Sequence, residues 1–150
     1  MRLGLAAGVV IAGCATAGAS TPRFPDPLPP HTRFAYAQDY GGIVGGHSAV
    51  ILTDNGTARV RCRFARDDDA TLKRHPGRKR IANWKRLLQR AQLSKIKSDD
   101  PNRTPTESPQ TWLLYNKRVT YLQWFSHREG LPPRVRDVSE AFERYLDRVC

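Results

Sequence analysis

Apolar and polar positions alternate from Arg33 to Tyr40, with Phe34, Tyr36 and Tyr40 on one side. That two-residue period predicts a half-buried strand. Ser48 to Thr53 is apolar at successive positions and predicts a strand covered on both faces. Ala58 to Ala65 alternates again: Ala58, Val60, Cys62 and Phe64 point one way, Arg59, Arg61 and Arg63 the other, with Arg66 just beyond. Between these two strands, Asp54-Asn55-Gly56-Thr57 predicts a tight hairpin with positive φ at both central positions. Asp67-Asp68-Asp69 is expected to end this unit of sheet. The period then changes. Ile81, Trp84, Leu87, Leu88 and Ala91 recur at helical spacing and predict a helix from about Arg78 to Lys95. A polar loop at 98–110 leads to a second hairpin, Thr111–Tyr115 and Val119–Phe125 around Asn116-Lys117-Arg118. Gly130, Pro132 and Pro133 break the chain. A last helix from about Arg134 to Val149 carries Val135, Val138, Phe142, Tyr145, Leu146 and Val149 as its buried stripe.

The order β-β-β-α-β-β-α predicts an α+β fold. Its antiparallel sheet has about five strands in two hairpin units, with two helices packed on one face. Trp84, Trp112, Trp124, Tyr115, Tyr121 and Phe125 are expected to fill the core where helix stripe and hairpin face meet.

The first residues do not belong to that domain. Arg2 precedes an apolar run, residues 3–13, too short for the roughly 20 apolar residues of a bilayer span. A positive start and a short apolar core have the form of an export signal. Ile11-Ala12-Gly13-Cys14 resembles the lipobox of bacterial lipoproteins. The resemblance implies a signal peptide at 1–13, fatty acylation of Cys14, and a periplasm-facing envelope protein. Ala15 after the cysteine, rather than Asp, favours the outer membrane. The alternative is an ordinary signal peptide cut after Ala17-Gly18-Ala19, giving a secreted or soluble periplasmic protein. Residues 14–32 include Pro22, Pro25, Pro27, Pro29 and Pro30 and read as a semi-rigid tether. Residues 33–150 then form one small domain. With Cys14 acylated, Cys62 and Cys150 remain as an even pair, which an oxidising compartment joins. Two buried free thiols are the other reading.

Charge adds a candidate site. The chain of 150 residues carries a formal net charge of +11. Between Lys73 and Lys97 it has ten Lys or Arg residues and no acid. An ordinary solvent face mixes signs. Arg78, Lys79, Arg80, Lys85, Arg86 and Arg90 are therefore candidates for binding anionic envelope polymers or anionic lipid. A plain solvated face is the competing reading. The Arg59, Arg61, Arg63 stripe is expected to lie open on the sheet face away from the helices, as a protein-binding surface or as the wet side of an ordinary strand. Export makes nucleic acid an unexpected partner, and no nucleic-acid-binding signature is present.

Catalytic and metal patterns are not found. Gly41-Gly42-Ile43-Val44-Gly45-Gly46 joins two strands, so it lacks the helix start and following Lys of a phosphate loop. It reads as a wide turn with Ile43 and Val44 at a tip that could meet a partner. His47 and Ser48 are adjacent on a strand and so face opposite ways, which argues against a base–nucleophile pair. His31 lies in the tether, and His47, His75 and His127 are read as turn residues without metal-ligand spacing. Asp67-Asp68-Asp69 lacks the spaced ligands of a calcium loop. No catalytic residue, metal or cofactor is expected, and an enzyme is the minor option.

Tyr40 to Gly46, taken with the element order, resembles the emfourin type of small protease inhibitor over roughly residues 33–150. That resemblance implies an α+β domain that blocks thermolysin-like metallopeptidases. Two functions follow as expectations. One is a non-enzymatic envelope lipoprotein that inhibits or neutralises an exported hydrolase. The other is an anionic-polymer or anionic-lipid binding module using the basic helix at 73–97.

Overall fold

A computed structural model describes residues 21–41, 46–63, 71–100, 108–124 and 130–150. The strands are β1 (Thr32–Asp39), β2 (His47–Thr53), β3 (Ala58–Arg61), β4 (Thr71–Arg74), β5 (Gln110–Tyr115) and β6 (Arg118–Gln123). The helices are α1 (Arg78–Ala91) and α2 (Pro133–Val149). All six strands form one antiparallel sheet in the order β4-β3-β2-β1-β5-β6. The chain meanders outward from β1 to the β4 edge. It crosses back through α1 and adds β5 and β6 on the other side of β1. The first strand is thus central, which explains why Phe34 to Gln38 are buried without a break.

The α+β class holds. The sheet has six strands rather than about five, in one continuous sheet with the order β-β-β-β-α-β-β-α. The added strand, β4, pairs Val60 with Leu72 and Ala58 with Arg74. It has four residues, three of them exposed, and no apolar alternation to announce it. Short, cationic edge strands of this kind are a common protection against edge-to-edge pairing. Within the described residues β3 ends at Arg61, where Cys62 leaves the ladder to join Cys150. Asp67-Asp68-Asp69 lies outside the described residues.

Both helices cover the same face. Trp84, Leu88 and Ala91 of α1 and Val135, Val138, Phe142, Tyr145 and Leu146 of α2 meet Phe34, Tyr36, Val50, Leu52, Val60 and Leu113 from the sheet. Phe142 sits at the middle of a ring cluster. It stacks on Trp84 at 4.6 Å and on Tyr36 at 4.9 Å, with Phe34 edge-on at 6.1 Å. The α-helix expected to reach Lys95 ends at Ala91. Gln92 takes a left-handed conformation, and Leu93–Lys95 form a 3₁₀ turn that buries Leu93.

The first hairpin departs from its expected turn, and in the second Arg118 belongs to β6 rather than to the connection. Only Gly56, at φ 80°, has positive φ in the Asp54-Asn55-Gly56 connection, and the Asn55 side chain accepts the Thr57 N–H at 2.9 Å. That is a three-residue loop closed by a left-handed glycine. In the second hairpin Asn116 and Lys117 both have positive φ, as a two-residue primed turn requires. At the β6 edge, the chain at 98–99 replaces a seventh strand. The Tyr121 carbonyl accepts the Asp99 N–H at 2.8 Å, the Ser98 hydroxyl accepts the Tyr121 N–H at 2.8 Å, and the Asp99 carboxylate accepts the Gln123 N–H at 2.8 Å.

The second sheet face is covered as well. Ala35, Ile51 and Leu114 form a smaller apolar cluster there, against which Phe24 and Val119 pack. Part of the segment expected to act as a tether therefore belongs to the folded unit, as a strap laid across the sheet. Trp112 pairs with Tyr121 on this same face, 6.4 Å from the His47 ring, and does not join the helix-side core with Trp84 and Trp124.

Candidate functional site on the helical layer

Burying Trp84, Leu88 and Ala91 turns the rest of α1 outward. Arg78, Lys79, Lys85, Arg86 and Arg90 are all exposed, and Arg80 is half-buried with its guanidinium 4.9 Å from the Tyr145 ring. The helix starts at Gly77 with no capping side chain and no acid in its first turn. Three cations at the positive end of a helix dipole are unfavourable by themselves and favour an anion nearby. Arg86 donates to the Asn83 side chain at 2.8 Å on its own helix. Among the described residues, none of Arg78, Lys79, Lys85, Arg86 and Arg90 makes an ion pair. The structure brings the six predicted basic residues onto one helix, five of them on a continuous outer face.

Between α1 and α2 lies a cleft of about 130 Å³ lined by Arg80, Asn83, Trp84, Ala141, Arg144, Tyr145 and Arg148. Burial raises the Tyr145 hydroxyl above its ordinary pKa, while the charges of Arg80 and Arg74 act to lower it. The hydroxyl is thus protonated at neutral pH, with cations close by.

The glycine turn is described at its two ends only; Gly42, Ile43, Val44 and Gly45 lie outside the described residues. Gly41 has φ 63° and its N–H donates to Asp39 at 2.9 Å; the Tyr40 N–H donates to the Gly46 carbonyl at 3.1 Å. Arg63 crosses this base with its guanidinium 4.0 Å over the Tyr40 ring. A Cβ on Gly46 would lie 2.4 Å from the Arg63 Cγ and 2.7 Å from its carbonyl oxygen. Because a backbone atom is involved, the clash cannot be relieved by a side-chain rotation. Gly46→Ala is expected to lower stability by about 1–3 kcal/mol, the usual range for overpacking, measured by chemical denaturation. An unchanged midpoint would show that Arg63 does not hold the turn.

The arginine stripe is not open as expected. Arg59 is exposed, but Arg61 is half-buried and donates to Asp26 at 2.9 Å, and Arg63 is occupied at Tyr40. Asp26, 8% exposed, also bonds the His47 Nε2 at 2.6 Å. His47 is the first residue of β2, not a turn residue, and faces the strap while Ser48 is buried on the other side. His31 is exposed beside the Asp54 carboxylate, His75 is exposed, and His127 lies outside the described residues. The Asp26 cluster fixes the strap. Asp26→Ala would remove the carboxylate that bonds both His47 and Arg61, each about one-fifth exposed. It is expected to cost about 2 kcal/mol and to expose residues 21–31 to limited proteolysis. Wild-type stability together with wild-type protease resistance would contradict that role.

Cys62 and Cys150 form a disulfide with their Cα atoms 5.6 Å apart. Cys14 lies outside the described residues. Among the described residues no group of three or more His, Cys, Asp or Glu could hold a metal ion, and no helix is long and apolar enough to cross a membrane. Sequence reasoning missed the strap and the arginine-lined cleft. Asp26 is the only acid in the first 38 residues, which was the available signal for the first. Compared with protein-family models and with curated proteins, the chain matches none.

Proposed function

We propose that the chain is an exported, lipid-anchored, non-enzymatic envelope protein whose domain binds an anionic macromolecule through the outer face of α1. The observation that carries this is the row Arg78, Lys79, Lys85, Arg86 and Arg90, exposed and without ion pairs among the described residues. Such a face gains from releasing the counterions of a polyanion. The strap does not compete for this face. With Cys14 acylated, the ten peptide steps from Cys14 to Phe24 reach about 35 Å at most. The strap lies on the sheet face opposite the helices. The anchor would therefore attach on the sheet side, and the strap leaves the outer face of α1 uncovered.

The test uses the full-length protein in detergent with polyphosphate as the probe. Binding is expected to weaken steeply with salt. Each of Arg86→Gln and Arg90→Gln should reduce the slope of log K against log salt by about 1. A flat salt response, or slopes unchanged in the variants, would remove α1 from the function. The anchor is tested separately, by fatty-acid labelling that disappears in Cys14→Ala.

A second reading, inhibition of an exported hydrolase through residues 41–46, is supported by the base of that turn. The Gly46–Arg63–Tyr40 contacts fix that base, and a fixed base lowers the ordering cost of any loop that binds from it. The resemblance to emfourin-type inhibitors points the same way. Shortening residues 41–46 and assaying a thermolysin-like peptidase distinguishes the two readings, because that change leaves the α1 face intact.

A further inference from the structure

Resting on the reading that the helical layer meets an anionic partner, we propose that the cleft between α1 and α2 is a discrete site for a phosphate monoester, held by Arg80, Arg144 and Arg148. The three arginines come from two helices and line one cleft of about 130 Å³ in which no acid takes part. Glu140, one turn earlier on α2, pairs with Arg144 at 3.7 Å, and the 65% exposure of the Arg144 side chain leaves that pair screened by water. The cleft rests on Trp84 and Tyr145, which are 1% and 4% exposed, so its floor excludes water and strengthens any charge-assisted hydrogen bond made above it. Arg80 is held in place by the Tyr145 ring, and Arg74 adds its charge at the same hydroxyl.

The chemistry selects the ligand. Guanidinium groups bind planar or tetrahedral oxyanions through paired N–H donors. One carboxylate offers two oxygens and one negative charge to three guanidinium groups. A phosphodiester also presents two free oxygens and one charge. A monoester presents three oxygens and close to two charges, so it can engage arginines arriving from two helices at once. The row on the outer face of α1 has no such enclosure and takes extended polyanions without a fixed stoichiometry. The cleft takes one phosphoryl group.

The experiment is an NMR titration of the full-length protein in detergent with inorganic phosphate, at ionic strength held constant with chloride. Saturable shifts are expected at Arg80, Arg144 and Arg148. Arg144→Gln should weaken binding about tenfold, the equivalent of one charge-assisted hydrogen bond, and Arg86→Gln should leave it unchanged. Arg144 is 65% exposed, so its replacement does not threaten the fold. Shifts that never saturate, or equal weakening by Arg86→Gln, would overturn the proposal and reduce the cleft to part of a diffuse cationic surface. Glycerol 3-phosphate and phosphatidic acid vesicles identify the source: equal affinity indicates a soluble or polymer-borne phosphate, and much tighter vesicle binding indicates a lipid headgroup. Both uphold the site. Failure of the α1 outer face would appear independently, as an unchanged polyphosphate salt slope in Arg86→Gln with phosphate binding intact.

Discussion

Replacing Cys62 and Cys150 by serine is expected to remove about 4 kcal/mol of unfolding free energy, with the same loss on adding reductant to the unaltered protein. The disulfide closes a loop across a sequence separation of 88 residues. A crosslink that long takes away much of the unfolded chain's freedom and little of the folded chain's. It joins the point where β3 leaves the sheet to the C-terminal end of α2, so it also pins the helical layer to the sheet. A loss of that size is a large part of the 5–15 kcal/mol that holds a typical domain together. Urea denaturation with and without reductant measures it. A difference under about 1 kcal/mol would mean that the helical layer is secured by packing alone. A large loss would suit a protein that folds in an oxidising compartment, which the proposed export requires.

The disulfide also shows which features the sequence made legible. Cys62 and Cys150 could be paired because only two cysteines remain beside Cys14. The helices could be read because Trp84, Leu88 and Ala91, and Val135, Val138 and Phe142, repeat at the helical period over several turns. Strong periodicity survives in a one-dimensional pattern. The strap did not, because proline content reports backbone stiffness and not contact. The partners of Asp26 lie 21 and 35 residues away, and nothing local links them. Strand β4 was missed for a related reason. Its pairing comes from the free edge of β3, while its own residues are mostly exposed. The cationic row on α1 was legible as composition. The cleft was not, because Arg144 and Arg148 gain their meaning from α1 packing beside α2.

Phe142→Ala is expected to cost about 3–5 kcal/mol, as large aromatic deletions in a close-packed core do. Phe142 is 0% exposed and touches three rings from two elements: Phe34 and Tyr36 on β1 and Trp84 on α1. Removing it takes away buried apolar area, and two stacked contacts and one edge-on contact whose geometry adds to that area. The surroundings cannot close the cavity easily. Trp84 is fixed by Tyr145 as well, at 5.0 Å and nearly perpendicular, and Tyr36 is tied by its hydroxyl to the Gln38 side chain. Both rings would have to leave those positions to collapse inward. The loss is measurable as a shift in urea midpoint at unchanged m-value, and a cost below about 2 kcal/mol would show that the ring cluster repacks. The same variant separates scaffold from surface. Trp84 underlies the arginine-lined cleft, whereas Lys85, Arg86 and Arg90 stand on the outer side of α1. Under conditions where Phe142→Ala remains folded, phosphate binding in the cleft should weaken as its floor loosens, and the polyphosphate salt slope should not change. The outer row needs only a helix to present it; the cleft needs the two helices held in register by the rings beneath them.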